Sequence, residues 1–136
     1  MVEIAAALQT DDRTFSRTEE FWRVSGFDPV QVTDGPGLVK PRILCCLINE
    51  AINALMESVA NAEDIDRAMR LGINYPPGPL AWADHLGFDI VYDVMTGLNR
   101  EWGEDRYRPS PLLRWKVLAR QLGEKTGRGF YEYEVR

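Results

Sequence analysis

Between Pro36 and Glu57 the apolar residues fall in pairs at nearly helical spacing: Leu38/Val39, Ile43/Leu44, Leu47/Ile48, Ala51/Ile52 and Leu55/Met56. A stripe this wide predicts a helix buried on most of its circumference. Such a helix needs other elements to cover it, and a chain of 136 residues is long enough to supply one core around it.

The same stretch contains Asn49, Glu50 and Asn53, which argues against a membrane span. Acids and bases are mixed along the chain, and the net charge of -5 comes without a basic cluster, so no nucleic-acid partner is expected. The start, Met1-Val2-Glu3-Ile4, lacks the basic-then-apolar layout of a signal peptide. The two cysteines, Cys45 and Cys46, are adjacent on the apolar helix and read as small core residues in a reducing compartment. A cytoplasmic protein is expected.

Upstream of the helix, Val2 to Leu8 reads as a strand and Thr10 as the N-cap of a helix stopping at Gly26. The alternation from Asp28 to Asp34 then predicts a second strand. Residues 1–34 form a strand–helix–strand unit of an α/β sheet, and two strands alone are marginal in water. Gly35-Pro36-Gly37 marks a domain boundary, so that residues 35–136 make a separate helical domain. In it Pro41 is expected at the first helical position, and the long helix should run to about Val59. A short helix follows, with Asn61 to Asp64 as its cap and Gly72 as its end. Helices are also predicted over Leu80–Leu86, Phe88–Trp102 and Leu112–Leu122, the last capped by Ser110. A glycine-rich loop then leads into an extended aromatic end.

Catalytic signals from the residues alone are few. The single histidine, His85, has no orienting partner that the sequence singles out. Nucleophile-elbow and metal-ligand spacings do not occur. Gly127-x-Gly129 precedes an extended segment rather than a helix, which argues against a phosphate loop. Glu63, Asp64 and Asp66 crowd one helix start, and capping accounts for them without a metal.

The order of motifs says more. Asp34-Gly35-Pro36-Gly37-Leu38-Val39 is followed by Asn49-Glu50-Ala51, then by Glu63-Asp64-Ile65-Asp66-x-Ala68-Met69-x-Leu71-Gly72. Next come Tyr75-Pro76-x-Gly78-Pro79-Leu80, Pro109-Ser110-Pro111-Leu112-Leu113 and Gly123-x-Lys125-Thr126-Gly127-x-Gly129-Phe130-Tyr131. In this order and spacing they resemble the NAD-dependent 3-hydroxyacyl-CoA dehydrogenases over nearly the whole chain. The resemblance implies that residues 35–136 are that family's helical domain, which dimerises the enzyme and walls the acyl-CoA cleft. It implies that residues 1–34 are the last strand–helix–strand of a Rossmann domain. The stretches Ala68–Trp82 and Gly103–Pro109 further resemble the second repeat of two-repeat enzymes of phenylacetate and β-oxidation-type pathways. Met1 falls inside the family's Rossmann domain, which favours truncation.

Glu3 matches the family's acid that orients a catalytic histidine, but that histidine and the glycine-rich dinucleotide fingerprint are not in this sequence. Pro41 stands where the family has a substrate-contacting asparagine, and a proline side chain offers neither donor nor acceptor. Lys40, Arg42 and Lys125 are candidates for CoA phosphates. The chain is thus expected to hold no cofactor itself, NAD belonging to the whole enzyme, and to be inactive alone. A homodimer is expected. Two other readings are a subunit that completes an active site with a separate Rossmann-domain chain, and an acyl-CoA binding module.

Overall fold

The computed structural model describes residues 1–134. Strands β1 (Val2–Ala5) and β2 (Pro29–Val32) pair in parallel, from Val2 opposite Pro29 to Ala5 opposite Val32, and helix α1 (Asp12–Val24) connects them. The expected strand–helix–strand start is present, but β1 stops at Ala5 rather than Leu8. Thr10 Oγ1 accepts the Ala7 N–H at 3.1 Å, and the Thr10 N–H donates to the Ala7 carbonyl at 3.0 Å, which closes a turn and ends the strand. That bond commits Thr10 to the turn. Asp11 caps α1 in its place, Oδ1 accepting the Thr14 N–H at 2.6 Å.

Five α-helices make most of the rest of the described residues: α2 (Lys40–Met56), α3 (Ala62–Ile73), α4 (Pro79–Leu86), α5 (Phe88–Trp102) and α6 (Pro111–Leu118), with short 3-10 turns at Asp105–Tyr107 and Glu124–Thr126. α2 lies against α4, α5 and α6. Ile48 and Ile52 of α2 meet Leu80 of α4, Phe88, Met95 and Leu98 of α5, and Leu113 of α6, all wholly buried. Each such side chain contributes about 1.5–3 kcal/mol of hydrophobic stabilisation. The buried face of α2 is narrower than its apolar stripe predicts: it comprises Cys45, Ile48, Asn49, Ala51 and Ile52, whereas Ile43 is 60% exposed.

Three helix ends differ from expectation for one reason. α2 ends at Met56 because Ser58 turns left-handed (φ +60°), letting the Val59 N–H reach back to the Ala54 carbonyl at 3.0 Å. α6 ends at Leu118 because Arg120 does the same (φ +55°), with the Gln121 N–H on the Lys116 carbonyl at 3.0 Å. α3 passes Gly72 and ends at Ile73, capped by left-handed Asn74. At the other end of α2, Pro41 is the second helical residue, one place beyond its expected position, because Val39 is the cap.

Three buried polar side chains tie distant segments together. Asn49 donates to the Arg108 carbonyl at 3.1 Å and accepts the Ser110 N–H at 2.8 Å, fixing the turn before α6 onto α2. The hydroxyl of Ser110 makes no cap bond at α6. Asp66 accepts the N–H groups of Leu80 and Ala81 at 2.8 and 2.9 Å and the Tyr131 hydroxyl at 2.8 Å. It therefore caps α4. The start of its own helix is capped by Asn61, which accepts the Asp64 N–H at 2.8 Å. Asp84 accepts the Phe130 and Tyr131 N–H groups and the Tyr133 hydroxyl, each at 2.9 Å, and so fastens the C-terminal segment to α4. Among the described residues no helix is long and apolar enough to cross a membrane.

Candidate functional site

The break Gly35-Pro36-Gly37 leads directly into α2. Gly37 is left-handed (φ +72°), and a Cβ there would stand 3.2 Å from the Arg42 backbone nitrogen, so glycine is needed for the chain to enter the helix this way. The Arg42 N–H donates to the Gly37 carbonyl at 3.1 Å and the Ile43 N–H to the Val39 carbonyl at 3.0 Å. Pro41 has no N–H. The donors left over at the start of the helix are those of Val39 and Lys40, and Glu3 takes both: Oε2 accepts from Val39 at 3.1 Å and Oε1 from Lys40 at 2.8 Å. A strand carboxylate thus caps the N-terminus of the central helix, where the helix dipole favours negative charge.

Beside this junction lies a cleft of about 780 Å³ between the strand unit and the helical body, lined among others by Ala6, Val32, Asp34, Leu38, Arg42 and Trp102. Arg42 is half-buried there. Its guanidinium lies 5.4 Å from the Trp102 ring centroid and 5.2 Å from that of Tyr107, and it donates to the Tyr107 hydroxyl. Tyr107 is itself buried, and Arg106 stacks on it at 4.8 Å.

Of the residues singled out from the sequence, Glu3, Lys40, Pro41 and Arg42 meet at the start of α2, and Arg42 faces the cleft. The side chains of Lys40 and Pro41 are exposed. Lys125 is not among the residues lining the cleft. It pairs with Asp89 in the first turn of α5, reaching Oδ2 at 2.5 Å. Burial pushes the Asp89 carboxyl up, but the Lys125 bond and charge with nearby backbone donors outweigh this and hold it below the usual value. His85 does have a partner, Glu124 at 3.1 Å, but the pair is exposed on the surface.

Gly129 finds its explanation in Asp84, whereas Gly127 is left-handed (φ +72°). A Cβ on Gly129 would overlap the Asp84 carboxylate, and one on Gly123 would overlap the Asp84 backbone. The glycines admit a buried acid, so a dinucleotide phosphate at this loop would meet negative charge. Cys45 is buried, and desolvation with the neighbouring thiol pushes its pKa up to about 11. Among the described residues no group of three or more His, Cys, Asp or Glu is placed to hold a metal. The anchoring tasks of Asp66 and Asp84 escape sequence reasoning because their partners lie 14 to 49 residues away.

Residues 37–133 match the family model described as the 3-hydroxyacyl-CoA dehydrogenase C-terminal domain. The chain is 46% identical, over 98% of its length and 48% of the relative's, to a probable 3-hydroxybutyryl-CoA dehydrogenase of Deinococcus radiodurans. It is 45% identical to a probable 3-hydroxybutyryl-CoA dehydrogenase of Bacillus subtilis, over 98% of this chain and 47% of that one. Among solved structures it is similar to the (S)-3-hydroxybutyryl-CoA dehydrogenase of Ralstonia eutropha, with TM-score 0.93 and 45% identity, over 97% of this chain and 47% of that one. The chain spans about half the length of the curated relatives it matches.

Proposed function

The chain belongs to the 3-hydroxyacyl-CoA dehydrogenases through their C-terminal domain, and on that premise we propose that it is the dimerisation and acyl-CoA cleft portion of such an enzyme. The whole enzyme would oxidise an (S)-3-hydroxyacyl-CoA to the 3-ketoacyl-CoA with NAD, in fatty-acid or aromatic-acid degradation in the cytoplasm. This portion alone carries out no dehydrogenation. Its one histidine is engaged with Glu124 on the surface, and a proline stands where the family's asparagine would contact substrate. The observation that supports the reading is the Glu3 junction, where the carboxylate that matches the family's acid bonds the N–H of Val39, a residue lining the cleft.

The homodimer reading is supported by apolar surface on neighbouring helices, Ile43 on α2 and Trp115 and Leu118 on α6. It is also supported by the two-stranded sheet, whose outer edges are open to pairing. Sedimentation velocity at micromolar concentration should give a dimer, and a monomer would overturn this part of the proposal.

A second reading, completion of an active site with a separate Rossmann-domain chain, is favoured by the Glu3 carboxylate itself. Each of its oxygens accepts one backbone bond, which leaves acceptor capacity for a partner's histidine. Mixing the two chains should then speed NADH formation from 3-hydroxybutyryl-CoA above the Rossmann chain alone, and Glu3→Gln should abolish the gain. No gain, or a gain that survives Glu3→Gln, would count against it.

A further inference from the structure

Among the described residues, Arg42 is the one cationic side chain lining the cleft, and it makes no ion pair. One of its donors goes to the Tyr107 hydroxyl. The rings of Trp102 and Tyr107 at 5.4 and 5.2 Å hold the guanidinium plane in place. A guanidinium is permanently charged and carries five N–H donors in a rigid fork that matches carboxylate and phosphate oxygens in pairs. Because the aromatic contacts already fix the side chain, little rotamer freedom remains to be lost when an anion arrives. Neither Glu3, whose oxygens cap the start of α2, nor Asp34, which also lines the cleft, makes an ion pair with Arg42.

We infer that Arg42 is an anion-reading residue of the cleft, engaging a carboxylate at the far end of the acyl chain or a phosphate of the CoA moiety. This deepens the acyl-CoA reading above and rests on it. The bland alternative is a clamp that only ties α2 to the Tyr107 turn.

Titration calorimetry of the full chain decides between them. Adipyl-CoA and hexanoyl-CoA differ in the terminal carboxylate, and 4′-phosphopantetheine and pantetheine differ in a phosphate. A charge-assisted bond should favour the anionic member of at least one pair by about tenfold or more. Arg42→Met should abolish that preference, and Arg42→Lys should keep only part of it. Should the variants fail to fold, the Arg42 Nε–H resonance of the unaltered protein should still move more with the member of a pair that carries the extra anionic group than with the member that lacks it. Equal binding within both pairs, a preference that survives Arg42→Met, or a resonance that does not move would overturn the inference. Binding of hexanoyl-CoA without discrimination would defeat Arg42 alone, whereas no binding of any CoA ligand would defeat the cleft reading with it.

Discussion

The carboxylate of Asp84 fills the space that a side chain on Gly129 would occupy, and from there it accepts the N–H of Phe130 at 2.9 Å. Gly129→Ala forces the C-terminal segment away from α4 and strips donors from a buried acid. We expect a loss of about 1–3 kcal/mol in urea unfolding, the usual cost of overpacking. Gly72 is the control: it lies in α3 with open space around its Cα, so Gly72→Ala should be neutral or stabilise by up to about 1 kcal/mol. Equal effects at the two glycines would contradict this account.

Asp84 also sets a pH dependence. Desolvation raises its carboxyl above the usual value, and the bonds from Phe130, Tyr131 and Tyr133 with the Lys116 charge offset this only in part. The native state therefore holds its proton to higher pH than the unfolded chain does. The contribution is fully present below the unfolded value of 3.8 and is lost as pH rises through the native one. Unfolding free energy of the unaltered protein minus that of Asp84→Asn should fall across that window and then level off. A difference that rises with pH would refute it.

How much of this was legible in the sequence depended on the distance over which each signal acts. The apolar spacing of α2 is local, and it announces the helix, though not how narrow its buried face is. The ends of α2 and α6 were not legible, because Ser58 and Arg120 take the left-handed conformation usually signalled by glycine. Thr10 and Asp11 are both good caps, and only the turn to Ala7 decides between them. Asp66 reads as a first-turn acid of α3 until Leu80 and Tyr131 fold back onto it. The aromatic setting of Arg42 joins residues 60 to 65 positions apart, which no periodicity reports.

The cysteines give a prediction about reactivity. Cys45 is buried with its pKa at about 11, and Cys46 is half-buried, its thiol raised by burial against the pull of Arg42 and Arg106. Since the thiolate is the reactive form, neither should react rapidly with a disulfide reagent near neutral pH. Both should react at once in urea. Rapid labelling of Cys45 in the folded protein would show that the core around α2 opens.

Glu3 offers the most direct test of how the two units are joined. Its carboxylate supplies both acceptors for the first turn of α2, and proline at 41 removes the next donor, so this one side chain completes the helix start. Glu3→Ala should cost about 0.5–2 kcal/mol, the range for loss of a helix N-cap. Glu3→Gln keeps one carbonyl acceptor and loses the charge, so it should fall between the two, and the gap between Gln and Glu should shrink in high salt as the helix-dipole contribution is screened. Hydrogen exchange separates this local effect from general destabilisation. In Glu3→Ala the amides of Val39 and Lys40 should exchange much faster, while that of Ile48, wholly buried in the middle of α2, should change only by the loss of global stability. If Val39 and Lys40 kept their protection, the junction would not be holding the strand unit to the helix, and the cleft beside it would need another cause for its shape.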